Sequence, residues 1–322
     1  MQQTFTLAVL LLTLCSMSFV SLAHGDTPAD GQSNVLSKVT VEAPPENLPG
    51  WICGRAENLT LLTNFKERDA IALVRDFRIF ARFVTASYSA AAALDRPLLV
   101  IVAERRNTGA DTVWQAIAEG VAKDASHVTI SLQCETPFEA RDLLRMRWMD
   151  LAFEEKPGQY PLWFELGLKR VLAEIHINEQ HLEVGRPPLF SPYSFFGMNE
   201  RHMINYEDIF RATRQSAEYR DPNRRLALET QSLAFVHLSL FGAKKEYQAR
   251  FAAFMNDSEM MIDPTASFER AFAMPVEDLN SQVRKFVQRN RYKYLTASFK
   301  ISSEDNPAAF APARTSDLGP RL

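Results

Sequence analysis

The hydrophobic positions change period several times along the chain. NLTLLT, residues 58–63, is a short apolar run that predicts a strand. From Arg68 the spacing changes to three and four. Ile71, Val74, Phe77, Phe80, Ala81, Val84 and Tyr88 fall on one side of a predicted helix that reaches about Ala93. Pro97 follows. PLLVIVA then predicts a fully apolar strand over 98–103, and HVTISLQ, rich in β-branched residues, another over 127–133. Residues 112–122 fit neither period.

Beyond Pro137 the helical period dominates. One segment runs to about Glu155, and KPGQY reads as a turn. Pro161 suits the first turn of the next helix, where its missing N–H would have had no partner anyway. That helix ends near Ile175. IHINEQHLEVG reads as a small hairpin, and RPPLFSP as a loop. Further helices fit 206–214, 223–241, 244–255, 264–273 and 275–290. The last carries Val276, Leu279, Val283, Phe286 and Val287 on one face. Residues 24–50, rich in Pro, Gly, Asp and Ser, read as a linker, and residues 300–322 as a disordered tail. The expected class is α+β. A small N-terminal mixed sheet with helices spans 51–185, and a mainly helical C-terminal part spans 186–299.

Composition changes this picture little. The 322 residues are 46% hydrophobic and 23% charged, ordinary for a globular protein with a sizeable core. A net charge of -3 gives no electrostatic reason to expect nucleic acid or an anionic membrane as a partner. LAVLLLTLCSMSFVSLA, residues 7–23, adds more. It is an uncharged apolar run ending in small residues, and reads as a secretory signal peptide over 1–23, with an uncleaved anchor as the alternative. The expected location is secreted or periplasmic. There Cys53 and Cys134 could pair, or remain two buried thiols.

Candidate chemistry is sparse. No two of the six histidines stand four apart, so the H-E-x-x-H zinc motif is absent. No G-x-S-x-G elbow or glycine-rich phosphate loop occurs, and nothing calls for a cofactor. His176 and His181 flank NEQ, with Glu179 and Glu183 nearby, and read as solvated turn residues. His237 lies on a helix with Leu226, Leu233, Ala234 and Phe241, and reads as a core histidine. One carboxylate, Glu165, stands out in PLWFELGLKR, beside Trp163 and Gly167.

PLWFELGLKRVLAE is similar to the P-x-W-x-x-E-G-x-A-E stretch of gluzincin-type metallopeptidases in the peptidase MA-like superfamily. In particular it resembles secreted bacterial proteins of that group with unassigned substrates. LVRDFRIFARFV resembles the family's first long helix, and HVTISLQ the strand before its zinc helix. HLEVGRPP, QSLAFVHLSLFG and ASFERAFAMPVEDLNSQVRKFV resemble later family elements in order. The similarity spans about residues 51–295.

The resemblance implies a zincin-like fold whose metal chemistry is gone. In the family, H-E-x-x-H ends about thirteen residues before the tryptophan. That count places Met146 and Asp150 at the two histidines, Arg147 at the general-base glutamate, and Leu166 at the third ligand. Glu165 is one residue early, about 100° round the helix, and is expected at the rim. The implied protein is a pseudopeptidase holding no metal. It binds a peptide or envelope protein in an inherited cleft, which Trp163, Glu165 and His237 could line. Two alternatives stay open. One is a metal-independent enzyme using Asp150, Glu154, Glu165 or His237. The other is a structural envelope protein.

Overall fold

The computed structural model describes residues 47–87, 96–105, 120–123, 127–154, 160–177, 181–186, 203–242, 245–288, 292–298 and 310–318. The expected signal segment and nearly all of the expected linker lie outside them. So do the end of the first expected helix, the NEQ turn, the RPPLFSP loop beyond Arg186, and most of KPGQY and of 112–122.

Six strands form a mixed sheet. β1 (Asn47–Ala56) turns back at Glu57 into β2 (Leu59–Thr63). Helix α1 (Glu67–Ser87) carries the chain to β3 (Leu98–Glu104), parallel to β2. β4 (Gly120–Lys123) and β5 (Val128–Cys134) follow, and a late strand, β9 (Ala311–Arg314), returns to β1. The order across the sheet is β4-β5-β3-β2-β1-β9. β2, β3 and β5 are parallel, while β4, β1 and β9 each run antiparallel to their neighbours. Alternate residues serve two cores. Leu61, Val100 and Ile130 face the helices, while Leu62, Leu99 and Ile101 join Trp51 and Cys53 on the other face. Burial on both faces explains why PLLVIVA reads as an unbroken apolar run.

The helices are α2 (Pro137–Glu154), α3 (Leu162–Ala173), α4 (Tyr206–Arg211), α5 (Ala217–Arg220), α6 (Pro222–Phe241), α7 (Lys245–Met255), α8 (Pro264–Phe272) and α9 (Val276–Gln288). β6 (His176–Ile177) and β7 (His181–Val184) make the expected hairpin, and β8 (Leu295–Ser298) adds a third strand. The mixed α+β class is as expected. One buried cluster runs from the sheet through α1, α2 and α3 into the C-terminal helices.

Gly167 sets the approach of α3 to α6. A Cβ there would lie 2.6 Å from the Ser232 carbonyl oxygen and 2.6 Å from Val236 Cγ2. Only a residue without a side chain lets the helices pack this closely.

Three expectations need correction. Residues 47–50 are strand, not linker. Residues 310–318 are ordered, not a disordered tail. β9 pairs with β1, Ala313 is fully buried, Phe310 lies over Gly54, and Asp317 pairs with Arg55 at 2.9 Å. A four-residue edge strand burying one small residue leaves almost no apolar signature. Finally, Cys53 and Cys134 do not form a disulfide. β2 and β3 stand between their strands. Three strand steps amount to about 14 Å, roughly twice the reach of a disulfide between Cα atoms.

Candidate functional site

The expected site falls on α2 and α3. α2 starts at a side-chain cap. Thr136 Oγ1 accepts from the Glu139 N–H, and the Glu139 carboxylate accepts from the Glu135 N–H. Leu144, Trp148, Met149 and Leu151 then seat it in the main core. Arg145 is fully buried beside them. It donates to both Asp76 carboxylate oxygens, at 2.7 and 2.5 Å, and to the Ala173 and Ile175 carbonyls, at 2.9 and 2.6 Å. This one side chain ties α1, α2 and the end of α3 together.

The four positions implied for a lost zinc site have separate fates. Arg147 is exposed, Met146 and Asp150 are half-buried, and Leu166 is part of the hydrophobic core. Asp150 accepts from the Lys169 ammonium at 2.7 Å. One turn earlier on α3, Glu165 accepts from Arg214 at 2.9 Å. Asp150, Glu165, Lys169 and Arg214 thus make a compact set of two acids and two bases.

Glu165 is therefore not a rim charge. It is only 7% exposed. Burial pushes its carboxyl up to about 7; Arg214 and Lys169 pull it down, and Asp150 pushes it further up. The side of α3 turned toward Asp150 carries Lys169, with Glu165 one turn before it. Leu166, next along, joins the core.

Zinc does not fit these residues. Leu166 has no donor atom, Arg147 is a cation, and Asp150 already holds an ammonium group. Among the described residues, no three His, Cys, Asp or Glu side chains gather closely enough to hold a metal ion.

The charge network extends outward. The Arg214 guanidinium lies 5.9 Å from the Tyr219 ring centre, and that of Arg225 lies 4.4 Å from it. Arg225 and Arg170 both reach Glu229, at 3.0 and 3.4 Å. On the other side of α2, Lys123 of β4 reaches Glu154 at 2.7 Å. β4 is the edge strand of the described sheet, with three of its four residues exposed, and Lys123 ties its end to the last turn of α2.

Trp163 and His237 are both buried in the core. Trp163 is fully buried, stacked on Phe254 at 5.8 Å and packed on Phe210 and Phe235 at 5.3 Å. His237 is the core histidine its helix suggests. Its Nε2–H donates to the Gly185 carbonyl at 2.5 Å, and its ring packs on Phe241, Phe286 and Tyr292. Gly185 ends β7 at φ +81°, a conformation that favours glycine, and a Cβ there would run into the Phe241 ring.

Buried titrating groups pull stability in opposite directions. Burial pulls the His237 imidazole down to about 4, partly opposed by the Gly185 carbonyl. An unfolded histidine titrates near 6.5, so the unfolded chain takes up a proton first and stability falls as pH drops below that value. The loss is about 2 kcal/mol by pH 5. Glu165 acts the other way, as does Glu174, which burial also pushes up to about 7. The folded Glu165 value of about 7 exceeds the ordinary 4.5, so its contribution is lost as pH rises through that window. His237→Gln keeps a donor for Gly185 but cannot be protonated. Going from pH 7 to pH 5, its urea midpoint is expected to shift upward relative to that of the wild type, because the other titrating groups act equally in both proteins. Parallel shifts in the two proteins would remove His237 as the acid-sensitive group.

Sequence reasoning missed Lys169 and Arg214. The first was findable, because Glu165 and Lys169 stand at the i,i+4 spacing of a helical ion pair. Arg214 is 49 positions from its partner and gave no signal. No family model matches the chain, and no curated protein matches it.

Proposed function

We propose that the protein is a secreted, non-catalytic relative of the gluzincin-type peptidases, and that it holds an extended peptide or protein segment beside α2. The observation that carries this reading is the Lys169–Asp150 ion pair. A side-chain cation occupies the only acid among the four positions where the resemblance puts metal ligands and base. The edge position of β4 among the described strands supports the binding half of the proposal. Its backbone groups can pair with an added strand, and pockets beside it can select side chains.

Zinc analysis of the purified protein tests the first half. The wild type is expected to carry no stoichiometric zinc and to leave casein uncut. The variant combining Met146→His, Arg147→Glu, Asp150→His and Lys169→Ala is expected to gain one zinc per chain, with Glu165 as third protein ligand. One tightly bound zinc in the wild type would overturn the reading. A folded variant that gains none would overturn the placement of Met146, Arg147 and Asp150. For the second half, a random peptide library is panned on the protein. Enriched peptides are expected to cross-link to a photoreactive group at Ala122, and peptides that bind without marking β4 would place the site elsewhere.

A further inference from the structure

A second surface, separate from the α2–α3 charge cluster, has the makings of a small-ligand site. The outer sides of α1 and α2 enclose a half-open groove of about 370 Å³, closed at one end by Ile177 of β6. That volume is at the small end of the range for ligand sites, roughly 300–1,000 Å³. Its walls are mostly apolar. Leu73 and Ile79 are buried in its floor, Ala72 lies along α1, and Phe138 is 54% exposed at the rim.

The charges lining the groove do not cancel evenly. Asp76 is neutralised by the buried Arg145. Arg141 stacks its guanidinium 4.2 Å over Phe138 and bonds Asp142 at 3.0 Å. Asp69 meets the highly exposed Arg68 at 3.6 Å, a contact open to water. Arg75 is half-buried in the wall and makes no ion pair among the described residues. The groove thus pairs an apolar trough with one uncompensated guanidinium.

We infer that the groove between α1 and α2 binds a small carboxylic acid with an aliphatic body, its carboxylate on Arg75 and its chain along Leu73, Ile79 and Phe138. Guanidinium matches a carboxylate bidentately, and the half-buried setting strengthens that pair relative to open solvent. The short trough and single free charge suit a compact acid better than a peptide, which would need several backbone partners. The inference does not depend on the proposed function.

Calorimetric titration with decanoate and with decanol, below their aggregation limits, tests it. The wild type is expected to bind decanoate saturably, one per chain, and at least tenfold more tightly than decanol. Arg75→Gln is expected to bring decanoate down to the decanol level. Ala72→Trp, at an exposed position that leaves the core intact, is expected to block both ligands. Absence of saturable decanoate binding would overturn the inference, as would equal affinity for acid and alcohol. Full preference for the acid in Arg75→Gln, or unchanged binding in Ala72→Trp, would overturn it as well.

Discussion

Arg145→Met is expected to lower stability by about 3–5 kcal/mol, read as a reduced urea midpoint with an unchanged slope. Methionine replaces much of the aliphatic stem, so little packing is lost. What goes is the guanidinium. Asp76, its side chain only 15% exposed, then loses the guanidinium it is paired with, and the Ala173 and Ile175 carbonyls lose their donors. A buried ion pair broken on one side costs far more than the same pair removed whole. The double variant Arg145→Met with Asp76→Leu is therefore expected to recover most of the loss. If the two single effects simply add, the pair is not coupled and the contact is incidental.

Trp163→Ala is expected to cost a similar amount, about 3–5 kcal/mol, by opening a cavity in the middle of the aromatic cluster. Five phenylalanines, Phe164, Phe210, Phe235, Phe251 and Phe254, surround the indole, drawn from α3, α4, α6 and α7. No one of these helices can close the space without moving against the others. Trp163→Phe separates packing from polarity. It keeps most ring contacts and removes an Nε1–H that has no partner among the described residues. Its cost is expected to be about 1 kcal/mol, since relief of the unpartnered donor offsets part of the lost volume. A Phe variant as unstable as the Ala variant would mean that the indole nitrogen is bonded after all.

The secondary structure was largely legible because most elements bury one side and show a period. α1 and α9 are examples, while the strand at 98–104, buried on both faces, showed instead as an unbroken apolar run. α3 was different. Every residue from Leu162 to Lys169 is buried, so no polar face marked which way it was turned. A one-residue offset against a family pattern then decided its orientation, and it pointed to Leu166 when the acid that mattered was Glu165. Hydrophobic periodicity fixes the rotation of a half-buried helix and says nothing about one surrounded by core. The charge cluster was hidden for another reason. Arg214 lies in the short connection between α4 and α5, and its partner could be chosen only after the helices had packed. β9 was hidden by brevity.

The pairing of β9 with β1 has a consequence in time. Arg55 and Asp317 are 262 positions apart, yet they form one ion pair at the end of the sheet. At a synthesis rate of roughly 5–20 residues per second, β1 waits on the order of ten to fifty seconds for the segment that completes it. During that wait its outer backbone groups face solvent, open to any other extended chain. The strand that closes the sheet is short, contains Pro312, and pairs across a register shift. Among the described residues, the longest strand thus has one of its two edges closed by a short strand made long after it.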